Sequence, residues 1–189
     1  MSDFLEKIYK LKQTVFTVDE IAIITRETNV KAKLAYYEEI GKLKRIRRGI
    51  YSIDENYNKY ELACKVFTPA YVSFETVLAQ EGVIFQYYKS ISAASYLSRE
   101  IECDGQKFKF RKLKRGILSS PEGVIDKDNY FIASKERAFL DMLYVSKSYY
   151  FDNPSSLDWD KVFKILPIYD NKRMNREVKE IHKNLIQSQ

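Results

Sequence analysis

The hydrophobic period changes partway through residues 29 to 53, NVKAKLAYYEEIGKLKRIRRGIYSI. The first half repeats at helical spacing. Val30, Leu34, Tyr37 and Ile40 make one apolar stripe, and Lys31, Lys33 and Tyr36 lie away from it. Asn29 suits the N-cap, and Gly41 suits the position just past the helix end. Beyond Gly41 the pattern alternates around Arg48-Gly49, which predicts a tight hairpin. In that register Ile46 opposes Tyr51 on one face, and Arg45 and Arg47 point to the other.

Two further helices are predicted upstream. SDFLEKIYKLKQ sets Phe4, Leu5, Ile8 and Leu11 at helical spacing, with Ser2 or Asp3 as the cap. In FTVDEIAIITRE, Thr17 is the N-cap and Glu20 follows three residues later, the spacing of a capping box. Ile21, Ile24 and Val18 supply its apolar face, and ETN breaks the helix. Three helices followed by a basic hairpin is a winged helix-turn-helix pattern. The third helix is the candidate groove reader and the hairpin the candidate wing.

Charge follows the same pattern. Lys42, Lys44, Arg45, Arg47 and Arg48 put five cations inside seven residues. From Thr25 to Ile53, eight Lys or Arg stand against Glu27, Glu38 and Glu39, so most of the chain's net +6 sits in under a sixth of its length. Taken alone, such a run reads equally well as a solvated turn. After a helix-turn-helix pattern, cations at a protruding edge fit phosphate contact. The expected partner is duplex DNA, contacted by Lys31, Lys33, Tyr36, Lys44, Arg45, Arg47 and Arg48. Tyr37 falls on the apolar stripe and reads as core.

The polar break ENYNKY predicts a boundary, with a winged helix-turn-helix domain over 1–56 and an α+β domain over 57–189. KYELACKVF and SFETVLAQEG read as helices, the second capped by Ser73 and followed by Gly82. SISAASY, REIECDGQKFKF, GILSS and GVIDKDNYFIA are strand-like, and Asp104-Gly105 is a hairpin turn signal. SKERAFLDMLYVSKS is a helix capped by Ser134. Pro154 and Pro167 punctuate a helical C-terminal end. The predicted class is α+β. KLKRIRRGIYS and FRKLKRGILSS look alike, but the match is short and basic, and chance explains it.

Several chemistries find little support. No apolar run approaches the ~18 to 20 residues of a membrane span, and the N-terminus lacks the apolar region of a secretory signal. Cys64 and Cys103 lack CxxC spacing, which fits reduced thiols in a cytoplasmic protein. The single histidine, His182, sits in a polar helix and reads as a surface residue, so no Ser-His-Asp or Cys-His set can be built. Cys64 reads as a small core residue. Asp158 and Asp160 share a face only on a strand, and DWD reads as a helix start. There is no phosphate-binding glycine loop and no zinc spacing. The expectation is a protein that is not an enzyme and needs no cofactor or metal. Fifteen tyrosines include the doublets Tyr36-Tyr37, Tyr87-Tyr88 and Tyr149-Tyr150. They fit a stacking surface for single strands, and ordinary interfaces explain them more simply.

The order of motifs resembles the AbiEi-type antitoxins of bacterial abortive-infection systems. The basic hairpin ends in Gly49-Ile50-Tyr51. A SxExxLxxxG helix follows, with Ser73, Glu75, Leu78 and Gly82. Later comes a helix opening with Ser134, Glu136, Arg137, Ala138 and Asp141. The resemblance spans roughly residues 3 to 145, and the last forty match nothing. It implies a cytoplasmic transcriptional regulator and antitoxin acting in phage defence. The first domain would bind operator DNA and repress its own operon. The second would counter a nucleotidyltransferase-type toxin encoded next door, with or without direct contact. The antitoxin role comes from the resemblance alone. Read physically, Glu136 falls at the third helical position and can serve the Ser134 cap. Arg137 and Asp141 are i, i+4 partners worth a few tenths of a kcal/mol if exposed. A protein-interaction module or a regulator without a toxin stands as the alternative, and a nuclease or nucleotidyltransferase is less favoured.

Overall fold

A computed structural model describes residues 3–187; Ser2, one of the two candidate caps of the first helix, lies outside them. The first six elements are α1 (Asp3–Tyr9), β1 (Val15–Thr17), α2 (Val18–Thr25), α3 (Val30–Glu39), β2 (Lys44–Arg47) and β3 (Ile50–Ser52). The capping box forms: Glu20 N–H donates to Thr17 Oγ1, and Thr17 N–H donates to the Glu20 carboxylate. α3 differs from expectation at both ends. Asn29 makes no side-chain cap, and Ile40 is 45% exposed, because the helix stops at Glu39 and Ile40 leaves the stripe. Gly41 takes the left-handed conformation, φ +68°, that closes the helix.

β1 was not evident from the sequence. Three residues are too few for a periodic signal, yet Val15 and Phe16 are fully buried. β1 pairs with β3 and β3 with β2, in the order β1-β3-β2. The β2–β3 ladder contains a bulge: Arg45 opposes Tyr51 and Arg47 opposes Ile50. The expected pairing of Ile46 with Tyr51 is therefore absent, and Arg45 and Arg47 do not share a face. An extra residue in one strand shifts its period-two alternation by one.

The rest of the chain is α4 (Lys59–Val66), β4 (Ala70–Val72), α5 (Glu75–Gln80), β5 (Ile91–Ser95), β6 (Arg99–Cys103), β7 (Gln106–Lys112), α6 (Arg115–Leu118), β8 (Val124–Asp126), β9 (Phe131–Ala133), α7 (Lys135–Val145), α8 (Trp159–Ile165) and α9 (Lys172–Gln187). The strands form one mixed sheet, β6-β7-β5-β4-β9-β8. Its central strand β5, ISAAS, is buried throughout. Small side chains there leave room for helices on the sheet, and α5 and α7 pack together. The protein is α+β with a helical C-terminal end. GILSS, expected as a strand, lies in and just beyond α6, where Ile117 and Leu118 are buried. Ser73 does not cap α5; Phe74 holds the N-cap position with φ +58°.

Two apolar clusters organise these elements. Phe4, Leu5, Ile8, Phe16, Ile21, Val30, Leu34, Tyr37, Leu43 and Tyr51 form the smaller. Val15 and Ile50 belong to the larger one, with the second sheet and its helices. The small sheet is thus two-faced: Phe16 and Tyr51 turn to the three helices, and Val15 and Ile50 to the rest of the chain. Polar contacts reinforce that seam. Thr14 donates to Glu61 through its N–H and hydroxyl at 2.9 and 2.7 Å, and Lys65 pairs with Glu20 at 2.8 Å. No helix is long and apolar enough to cross a membrane among the described residues.

Candidate nucleic-acid interface

The outward side of α3 carries Lys31, Ala32, Ala35 and Tyr36, all exposed. Two alanines between longer side chains leave a face that can approach a groove floor closely. Tyr36 is 55% exposed and stands edge-on against Tyr37 at 5.2 Å. Tyr37 is buried and stacks on Phe4, as its place on the stripe predicted. Lys33 behaves differently from Lys31. Its ammonium pairs with Glu27 at 2.6 Å and lies 5.4 Å above the Phe4 ring.

The bulge sorts the hairpin cations. Directly opposed residues share a face of a ladder. Arg45 therefore lies on the Tyr51 side, and Lys44 and Arg47 lie on the Ser52 and Ile50 side, toward the second sheet. Lys44 meets Asp104 in the β6–β7 turn at 3.0 Å and Glu55 at 3.8 Å. The Arg47 guanidinium lies 5.8 Å over the Phe67 ring, with Nη1 4.0 Å from Cys103 Sγ. Arg45 and Arg48 are exposed and have no ion pair among the described residues. Of the seven predicted contacts, Lys31, Tyr36, Arg45 and Arg48 face outward, and Lys33, Lys44 and Arg47 are engaged within the chain.

Asp104 is a residue the sequence marked only as part of an ordinary turn. It accepts from Lys44 Nζ and from Tyr57 Oη at 2.9 Å, and Lys59 stands 3.6 Å away. These donors hold its carboxyl below the usual carboxylate range. Burial, together with the Asp104 hydrogen bond, pushes the Tyr57 phenol well above its ordinary value.

Of the motif residues of the second half, Ser73, Glu75, Glu136, Arg137 and Asp141 are all buried, so none of these five is a surface contact. Arg137 and Asp141 are paired i, i+4 as expected, and they are fully buried in one network, so the few tenths of a kcal/mol given for an exposed pair does not apply. Glu136 occupies the second helical position. Arg137 N–H donates to Ser134 Oγ, and Glu136 accepts from the Asp158 N–H at 3.2 Å instead. Ser73 Oγ donates to Asp141 at 2.8 Å. Glu75 pairs bidentately with Arg111. Burial alone would raise the Glu75 carboxyl, but the Arg111 guanidinium outweighs it and leaves the value lowered. The pair lines a cleft of about 600 Å³ with Lys112, Tyr144 and Tyr149.

Other candidates resolve more simply. His182, expected at the surface, is half-buried against Trp159 at 4.7 Å and Phe163 at 5.2 Å, because α9 folds back over α8. Cys64 is buried, and burial pushes its thiol up to about 11. Asp158 is the N-cap of α8, accepting from Lys161 N–H. Within the tyrosine doublets, Tyr87 and Tyr150 are exposed, while Tyr88 and Tyr149 are half-buried with hydroxyls 3.4 Å apart. Among the described residues no three His, Cys, Asp or Glu side chains are placed to share a metal ion. No protein-family model matches the chain, and no curated protein matches it.

Proposed function

We propose that the chain is a duplex-DNA-binding regulator whose first 56 residues are a winged helix-turn-helix. In this reading α3 enters the major groove and the β2–β3 hairpin is the wing. The observation that carries it is the pairing of two outward features: the Lys31-Ala32-Ala35-Tyr36 face of α3, and the unpaired Arg45 and Arg48 of the hairpin. Small residues on a groove-facing helix allow base contact, and unpaired guanidiniums at an edge suit phosphates. Residues 57 to 189 are proposed as the effector domain of an AbiEi-type antitoxin that counters a nucleotidyltransferase-type toxin. That part rests on motif order alone. Ser73, Glu75, Glu136, Arg137 and Asp141 are buried, so a toxin-directed role would fall to other residues, at the surface.

Mobility-shift titrations test the regulator reading. The full chain is titrated against its own upstream DNA and against random duplex at about 100 mM salt, with the salt dependence measured. A specific complex whose affinity falls linearly in log–log salt supports it. Equal affinity for upstream and random DNA removes it. Growth of cells carrying the neighbouring gene with and without this chain tests the antitoxin part. Failure to rescue from an active toxin removes that part alone.

A further inference from the structure

The β6–β7 turn reaches across to the basic hairpin and grips it. Asp104 and Gly105 have φ of +50° and +71°. A two-residue turn with both central φ positive is of the type that Asn-Gly fills as well as Asp-Gly. The turn therefore needs a short polar side chain at 104 and has no use for a negative charge. The charge is used elsewhere. One carboxylate gathers Lys44 from β2 at 3.0 Å, Tyr57 from the segment that joins the hairpin to α4 at 2.9 Å, and Lys59 from the first turn of α4 at 3.6 Å. The neighbouring Cys103 meets Arg47 on the same face of the hairpin. Both cations reach this face because of the bulge in β2, so the strand is built to present them to the turn.

We propose that Asp104 is a positioning residue for DNA recognition. It fixes the hairpin against the second sheet so that Arg45 and Arg48 stand at a set distance and angle from α3. The proposal rests on the DNA-binding reading above. Sequence preference arises when phosphate contacts hold a recognition helix in register. A hairpin released from Asp104 still attracts phosphate, and it no longer sets that register. Lys44 then adds to non-specific attraction.

Asp104→Asn isolates the charge, since asparagine suits the turn and keeps the shape. In the full chain, Asp104→Asn lowers operator affinity about fivefold, the scale of one partly exposed charge contact. Affinity for random duplex does not fall, so the ratio between the two drops by at least the same factor. Lys44→Met lowers operator affinity as well, and the double variant is within about twofold of the worse single one, because both remove the same ion pair. Hydrogen exchange of amides 44 to 52 without DNA is at least about fivefold faster in Asp104→Asn. An operator-to-random ratio within twofold of wild type overturns the proposal. Tighter operator binding by Asp104→Asn overturns it too, showing that the carboxylate merely masks Lys44. So does unchanged hairpin exchange. A wild-type chain with no preference for its upstream DNA sinks the regulator reading instead, and the exchange measurement then decides whether Asp104 fixes the hairpin.

Discussion

Arg137 and Asp141 stand one turn apart on α7, both fully buried, with Arg137 Nε donating to Asp141 Oδ1 at 3.1 Å. Neither charge is left wanting. Asp141 also accepts from Tyr71, Ser73 and Tyr169 at 2.9, 2.8 and 2.6 Å. Arg137 donates to the Glu122 and Ile117 carbonyls and to Tyr71 Oη, each at 2.7 Å. The network ties β4, α7, the α6–β8 connection and the turn before α9 to one point.

Removing one member leaves the other buried and uncompensated. Arg137→Met or Asp141→Leu is expected to cost about 3–5 kcal/mol. The double variant costs less than the sum of the two, because the stranded charge is gone. Urea denaturation followed by circular dichroism checks both statements. An additive double variant would mean that the residues do not act as a pair.

Gly123 lies against this network. A Cβ there would sit 2.8 Å from Arg137 Cβ and 2.8 Å from Ile165 Cδ1, at φ +71°. At Gly82 the backbone is similar, φ +67°, but the space is open. Gly82→Ala should cost only backbone strain, about 1–2 kcal/mol. Gly123→Ala should cost clearly more, since Arg137 cannot shift without giving up its carbonyl partners. Equal destabilisation in thermal unfolding would contradict this.

On the proposed DNA-binding reading, Arg45→Ala with Arg48→Ala in the hairpin should weaken binding to all duplexes. The log–log salt slope should fall by about 0.9 for each phosphate no longer neutralised. Arg47→Ala should leave the slope unchanged and loosen the packing on Phe67 instead. Salt titrations of the three proteins separate the outcomes. A slope change confined to Arg47→Ala would reverse the assignment of faces.

The Cys64 thiol, held near 11 by burial, should resist iodoacetamide at pH 8 in the native protein. Peptide mass mapping distinguishes it from Cys103. An acid whose folded pKa is raised contributes stability below the unfolded value, about 8.5. That contribution is lost as pH climbs from there through the folded value. Rapid native labelling at pH 8 would show that this part of α4 opens easily.

Acid stability follows the opposite sign. Burial opposes ionisation of Glu20 and Glu75, yet the Lys65 and Arg111 pairings leave both carboxyls lowered. Such groups stabilise the fold above the unfolded carboxylate pKa, about 4.3, and lose that effect as pH falls through the lower folded values. Unfolding free energy should therefore drop as pH falls below about 4.3. Glu75→Gln should be less stable at neutral pH and show a shallower drop. An identical pH profile for the variant would remove Glu75 from the account.

What the sequence revealed was what repeats or caps locally. The Thr17–Glu20 box, the Ser134 cap, the α3 stripe through Tyr37 and the Asp104-Gly105 turn all lie within a few residues of their own cause. What it hid depends on partners far along the chain. Ser73 resembles a cap, but Asp141 captures its hydroxyl across 68 positions. The i, i+4 spacing of Arg137 and Asp141 shows that they can pair and leaves open whether they are exposed; Tyr71 and Tyr169, far away in sequence, complete the buried network. Lys44 and Arg47 look equivalent to Arg45 and Arg48 in any charge count. Only the register of the ladder, set by one irregular residue, separates them.

That residue is Ile46, and it makes the length of β2 as informative as its composition. Replacing a side chain at 45 or 47 alters one contact. Removing Ile46 would leave Lys44 opposite Ser52, Arg45 opposite Tyr51 and Arg47 opposite Ile50, now in a regular ladder, and every cation would keep its face. Pairing Ile46 into the ladder would instead put Arg45 and Arg47 on one side, as strict alternation demands. One unpaired residue thus decides which surface each cation is addressed to, with no change in charge.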